Sequence, residues 1–279
     1  MKGADFTVKC ALIAALLLAG CAHAPSPGTI WDTRAGRFVA AEEVFARAAG
    51  AEHVIFGETH DNPEHHRLQR LALERLSGPR ALALEQLDSE HQAAIDAAQA
   101  RGADAEAIAD AGRFDRKGWN WPLYRPLVEF ALERRWPIIA ANLSRPQARR
   151  IVADPAISGL APAPALAKAL ERDIAESHCG QPPPAKLLAG MVEAQRARDA
   201  RLAASLKGRT VLITGTGHAR RDRGVPLYLP GADIVSIGFV EVDADKKAPG
   251  DYLTGHFAPE SFDYVWFTPR AAREDPCAR

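Results

Sequence analysis

An excess of charge of either sign is missing from this chain. Its 279 residues hold 35 Lys and Arg against 35 Asp and Glu, and the basic residues are spread out, so the electrostatic footprint of a nucleic-acid partner is absent. Also missing is an apolar run long enough to span a bilayer, which takes about 20 residues; the run at 11–19 is far shorter. Neither G-x-G-x-x-G nor G-x-x-x-x-G-K-[ST] occurs, which leaves GTGH at 215–218 a poor phosphate loop. The lack of G-x-S-x-G and H-E-x-x-H removes the simplest hydrolase and metalloprotease readings. No internal repeat and no low-complexity tract is present.

Lys2 and Lys9 stand ahead of the short apolar run, the layout of an export signal. Leu18-Ala19-Gly20-Cys21 resembles the lipobox of bacterial lipoproteins, which makes residues 1–20 a signal peptide, Cys21 the lipid-bearing first residue and 21–28 a lipidated tether. An ordinary cleavage site beside a chance cysteine is the plainer alternative. Ala22 after the cysteine is similar to the outer-membrane sorting pattern, so the expectation is a lipid-anchored protein of the bacterial cell envelope, at the outer membrane. Processing would remove Lys2, Lys9 and Asp5 and leave 33 basic against 34 acidic residues, so neutrality survives. Cys179 and Cys277 then remain in a compartment where disulfides persist. A pairing would constrain the unfolded chain by roughly 4–5 kcal/mol, and two free thiols are the other possibility.

From residue 29 to 279 the pattern is that of a single α/β domain. Runs rich in Val, Ile, Leu and Ala at 52–57, 80–85, 137–141, 209–214 and 233–239 alternate with helical patterns at 41–49, 63–77, 89–100, 122–135 and 144–153. This is the signature of βαβ units and predicts a mainly parallel, doubly wound sheet flanked by helices. Ser89 with Gln92 reads as a capping box, and Pro63 suits a first helical turn. Residues 154–207 break the alternation with helical stretches at about 164–177 and 185–206 around the QPPP turn, a helical cap inserted before the late strands.

Ligands of such sheets sit beyond the carboxyl ends of the strands. The segment VIFGETHDNPEHH, 54–66, ends its strand there with Glu58 and His60, and Gly57 is expected to permit a sharp turn. In the helix that follows, His65 shares a stripe with Gln69, Ala72 and Leu76 and is preferred over His66 as the inward-facing imidazole, kept neutral by the helix N-terminus. TVLITGTGH, 210–218, brings His218 to the same edge, and RALALE brings Glu85. Glu58, His60, Glu85 and His218, with His65 beside them, form a set that can ligate a divalent metal, activate water or hydrogen-bond a ligand. Each alone reads as a structural hydrogen-bond partner. GRFDRKGWNWPLYR, 112–125, joins rings to cations and suits a planar anionic ligand, with Trp119 and Trp121 for its face and Arg113, Arg116, Lys117 or Arg125 for its acid groups; a solvated loop whose tryptophans pack on the core is the alternative.

Gly57-Glu-Thr-His60 and Gly215-Thr-Gly-His218 are paired G-x-x-H motifs, and with Glu85 between them they resemble the Tiki/TraB/EreA superfamily. Within it the chain is similar to ChaN-type haem-binding lipoproteins, through 57–69, 84–86, 119–131, 137–145, the His178-Cys179 pair, 193–203 and 216–226. The resemblance implies a haem-binding protein of haem and iron uptake, a homodimer holding haem near the cap, and a tyrosine on the iron. Tyr124 and Tyr228 are better placed for that role than Tyr252 and Tyr264, and phenolate is a known haem ligand. His178, Gln195 and Asp199 join the candidate haem contacts. Gln195, Arg198 and Asp199 share one helix face. The same superfamily implies an alternative, a Tiki-type metal-dependent hydrolase or protease using Glu58, His60, Glu85 and His218.

Overall fold

The computed structural model describes residues 24–252, 259–274 and 277, so the signal peptide with its lipobox, Cys21 and the first residues of the tether lie outside the described residues. Among the described residues no helix is long and apolar enough to cross a membrane.

The folded part opens with a short hairpin, β1 (Ile30–Asp32) and β2 (Arg37–Val39), followed by α1 (Ala41–Gly50). The strands expected from the sequence follow as β3 (His53–Glu58), β4 (Ala81–Asp88), β5 (Ile138–Asn142), β6 (Thr210–Gly215) and β7 (Ile234–Glu241), and β8 (Tyr264–Thr268) closes the chain. They form one eight-stranded sheet in the order β2-β1-β8-β7-β3-β6-β4-β5. The pairs β3·β6, β3·β7, β4·β5, β4·β6 and β7·β8 are parallel, and only the β1–β2 edge runs antiparallel.

Both faces of the sheet are covered, and the alternation of side chains explains how. Val54, Phe56, Leu82, Leu84, Val211 and Ile213 point into one core, while Ile55, Ala83 and Leu212 between them point into the other. The first core is closed by α1 and by α2 (Pro63–Arg75), α3 (Gln92–Ala100), α4 (Ala105–Ala111) and α5 (Trp121–Glu133), through residues such as Leu73, Ile95, Ile108 and Leu127. After α6 (Arg145–Ala153) come α7 (Pro164–Ser177) and α8 (Ala185–Ser205), which pack on each other as a hairpin. Leu202 and Leu206 from the end of α8, and Ala219 from the single turn α9 (Thr216–Ala219), fill the second core. Cys179, at the turn of the hairpin, is disulfide-bonded to Cys277, which settles the choice between a bridge and free thiols.

Two local expectations are corrected. Ser89 and Gln92 form no capping box: the Gln92 amide donates to the carbonyl of Ile138 at 2.9 Å and its oxygen accepts from Ala140 N at 2.6 Å, tying α3 to β5. The box occurs instead at Ser144 and Gln147, opening α6. Gly57 lies within β3 rather than at a turn; a Cβ there would fall 2.7 Å from Cβ of Ala219, so glycine is needed for the close approach of α9.

Candidate functional site

The carboxyl edge of β3, β4 and β6 gathers the titratable groups. Glu58, the last residue of β3, is buried, and its oxygens are fully engaged. The Tyr124 hydroxyl of α5 donates to Oε1 at 2.6 Å, the Gln69 amide of α2 donates to Oε2 at 2.5 Å, and His60 Nδ1 lies 3.0 Å from Oε1. His66 Nδ1 is 3.5 Å from Oε2. Burial works to raise the Glu58 pKa, but His66, His60 and the Tyr124 hydroxyl outweigh it and hold the carboxyl below its ordinary range. Burial and the Glu58 charge push the Tyr124 phenol upward, which keeps it a neutral donor.

The second half of the edge is built on Glu85. Thr214 Oγ1 and the Gly215 N–H both donate to its Oε2 at 2.7 Å, and His218 Nε2 lies 3.5 Å from Oε1. Burial opposes ionisation here too, yet His218, His60 and those two hydrogen bonds bring the Glu85 pKa down to about 2. His218 Nδ1 meets Asp199 Oδ1 of α8 at 2.6 Å, with Gln195 Nε2 at 3.2 Å. Burial alone would lower the His218 pKa; Glu85 and Asp199 raise it. Gly215 joins the halves: a Cβ built on it would lie 2.9 Å from His60 Nε2 and 3.7 Å from Glu85 Oε2. Only a residue without a side chain lets the imidazole of one G-x-x-H motif rest on the strand end of the other.

The structure thus brings Glu58, His60, Glu85, His218, Gln195 and Asp199 to one mouth. It turns His65 away. Its Nδ1 accepts from Thr59 N at 2.9 Å, its Nε2 pairs with Thr268 Oγ1 at 2.9 Å, and the ring stacks on Phe239. Both nitrogens are committed, so His65 is a structural residue, and burial lowers its pKa to about 4. The inward imidazole is His66, whose Nε2 pairs with the carbonyl of His60 at 3.0 Å and whose ring lies edge-on to Tyr124. Helical spacing gives His66 no priority, because its partners come from β3 and α5.

Among the described residues, the His, Asp and Glu group with ligand atoms within 4.8 Å of one another is Asp88, Glu90 and His91 at the end of β4, not the set of Glu58, His60, Glu85, His218 and His65. Both oxygens of Glu58, Oε2 of Glu85 and Nδ1 of His218 already hold protein partners.

The 112–125 stretch divides. Trp119 lies edge-on to His60 at 4.7 Å and lines, with Arg116, Lys117 and Asn120, an open recess of about 380 Å³. Trp121 is buried against Phe114 and donates from Nε1 to Glu106 at 2.7 Å. Arg125 pairs with Glu129 of its own helix at 2.7 Å. Neither Trp121 nor Arg125 reaches the mouth. Tyr124 is fully buried with its hydroxyl on Glu58, and the Tyr228 hydroxyl is buried near Asp199 without a partner at hydrogen-bonding geometry. Neither hydroxyl, of the two tyrosines the sequence places best for a haem ligand, is open to solvent in this structure. His178, at the end of α7, is exposed; its Nδ1 pairs with the Ile174 carbonyl at 2.7 Å.

The two G-x-x-H strand ends by which the sequence resembles the Tiki superfamily thus stand on one edge of a mainly parallel sheet. The model of the superfamily's haem-binding uptake family, ChaN, matches residues 44–229, and the chain belongs to that family. Among solved structures it is similar to ChaN of Campylobacter jejuni, a structure of cofacial haem binding, with a TM-score of 0.71 and 25% identity over 85% of this chain and 95% of that one. A Bacillus cereus protein is matched more loosely, with a TM-score of 0.44 and 12% identity over 84% of this chain and 74% of that one. A type III effector follows with a TM-score of 0.38 and 14% identity over 82% of this chain and 92% of that one. No curated protein matches the sequence.

Proposed function

We propose that this chain is a haem-binding lipoprotein of the cell envelope, anchored through Cys21 at the outer membrane, that serves haem and iron uptake. Two copies hold haem between them at the α7–α8 hairpin. Family membership supports haem as the ligand, and the likeness to the Campylobacter structure, whose haems are cofacial, supports a two-copy arrangement.

The observation that carries the reading for this chain is the exposed end of the hairpin. The turn from Glu176 to Gln181 is exposed throughout, and in the first turn of α8 the apolar side chain of Leu187 is 44% exposed beside the cation Lys186. A porphyrin gains stability by covering apolar surface and its propionates by meeting cations. The edge of Glu58, His60, Glu85 and His218 is a hydrogen-bonded polar network joined to α8 through Asp199 and Gln195.

When bound, haem supplies an iron and an apolar macrocycle with two carboxylates, and the residues here bind and orient it. Titration of hemin into the purified mature protein, followed in the Soret region, tests the proposal. Saturable binding is expected, and a linear rise matching hemin in buffer refutes it.

A further inference from the structure

Arg220 is only 2% exposed, and part of its guanidinium is unused. Nε and Nη2 donate side-on to the two oxygens of Asp222, each at 2.9 Å. In that geometry Nη1 lies on the opposite edge of the planar group, with two N–H donors to place. Among the described residues it has no acceptor. A buried cation left with bare donors is costly unless something else accepts from them. What Arg220 faces is a cavity of about 460 Å³ at the carboxyl end of β7, which it lines with Thr59, Gly217, Val240, Lys246 and Tyr252. The cavity lies on the β7 side of β3, whereas the mouth of His60, Glu85 and His218 lies toward β6 and β4, and none of those three groups lines it.

The acids that share the cavity wall have partners of their own. Asp173 of α7 accepts from Arg223 at 2.8 and 2.9 Å, and Glu241 accepts from Arg273 at 2.6 and 2.7 Å and from Asn62 at 2.7 Å. Asp243 is exposed and accepts from Asp245 N at 3.0 Å. Lys246 differs. Its Nζ stands 4.8 Å from the centre of the Tyr252 ring, and among the described residues it forms no ion pair. A buried guanidinium with a bare edge, a second cation without a carboxylate, and the apolar surface of Val240 and Tyr252 are the mixture that holds a small organic acid. The volume falls within the range of such pockets.

We propose that this cavity is a binding site for a small organic acid, whose carboxylate accepts from Nη1 of Arg220, with Lys246 as the neighbouring cation and Val240 and Tyr252 against the body of the ligand. The site adds a second ligand to the haem-binding reading above and does not depend on it.

The test titrates benzoate and succinate into the mature disulfide-bonded protein, with uncharged benzamide as control, and follows proton–nitrogen NMR of the backbone and of the arginine side chains. Expected are saturable shifts at Gly217, Lys246 and the Arg220 side chain with at least one of the acids, none with benzamide, and at least a tenfold weaker affinity in Lys246→Ala and in Gly217→Leu. A Cβ built on Gly217 meets nothing within 4 Å, so leucine there occupies the cavity and leaves the fold in place, which circular dichroism checks. Absence of saturable shifts with both acids, equal binding of benzamide, or wild-type affinity in Gly217→Leu would overturn the site. Repeating the titration on protein saturated with hemin separates the two sources of carboxylate. Unchanged affinity is expected; loss of acid binding would show that Arg220 serves a propionate of haem, which overturns the second-ligand site and keeps the haem-binding reading. Protein that takes the acid and not hemin removes the haem-binding reading alone.

Discussion

Asp199 Oδ1 lies 2.6 Å from His218 Nδ1, so a carboxylate of α8 and an imidazole of the sheet edge form one buried pair. With the hydrogen bonds from Ser205 to the Ala141 carbonyl and from Arg198 to the Leu143 carbonyl, it ties the hairpin to the sheet. Asp199→Asn keeps the shape and removes the charge. It should lower the His218 pKa, measured by NMR titration, and cost roughly 1.5–3 kcal/mol in urea unfolding, the range for a hydrogen bond to a charged group. An unmoved His218 pKa would contradict the pairing.

Gly215 is the contact point of the two motifs. Gly215→Ala puts a methyl 2.9 Å from His60 Nε2, closer than van der Waals contact permits. A cost of about 1–3 kcal/mol is expected, with His60 displaced from Glu58. A variant as stable as wild type, with an unchanged His60 resonance, would show that the halves are not in contact.

His65 gives the protein an acid-sensitive element. Its pKa is near 6.5 when unfolded and about 4 when buried in the fold. Between those values the unfolded chain binds more protons, so this contribution is present above about pH 6.5 and is lost as pH falls toward 4, worth roughly 3 kcal/mol. His60 and His218, with raised values, act in the opposite sense and lose their contribution as pH rises. Comparing urea unfolding of wild type and His65→Gln at several pH values isolates the term. The variant should show the shallower decline between pH 6.5 and 4, and equal slopes would contradict the assignment.

Gln92, rather than Ser89, fixes the start of α3. Gln92→Ala removes two bonds to the backbone of β5 and should cost about 1–3 kcal/mol, while Ser89→Ala should stay within about 0.5 kcal/mol. The reverse ranking in thermal unfolding would restore the capping box.

The Cys179–Cys277 bridge closes a sequence separation of 98 residues. Its reduction should lower stability by about 4–5 kcal/mol through the freedom returned to the unfolded chain. Urea unfolding with and without dithiothreitol measures it.

The parallel strands and the three-way convergence of His60, Glu85 and His218 were legible because each lies at the end of an apolar run, and strand ends of one sheet share an edge. β8, YVWFT, carries a strong β-former signal but falls outside the alternation of strands and helices, so its place beside β7 was not legible. The β1–β2 hairpin is only three residues a side. The choice between His65 and His66 failed for a different reason. Helical spacing places them on neighbouring stripes, and the stripe facing the mouth is set by Glu58 and Tyr124 on one side and by Thr268 and Phe239 on the other. Distant strands decide that. Likewise the sequence offers Tyr124 as a candidate haem ligand beside two tryptophans, and only the packing of α5 shows its hydroxyl directed at Glu58.

Where haem lies on this chain is the point on which the account turns. Hydrogen–deuterium exchange of the mature protein with and without hemin maps it directly. Added protection confined to the hairpin turn and the opening of α8, about residues 174–191, is the result expected. Protection at the 116–120 recess or at the strand ends of Glu58 and Gly215, with the hairpin unchanged, would contradict it.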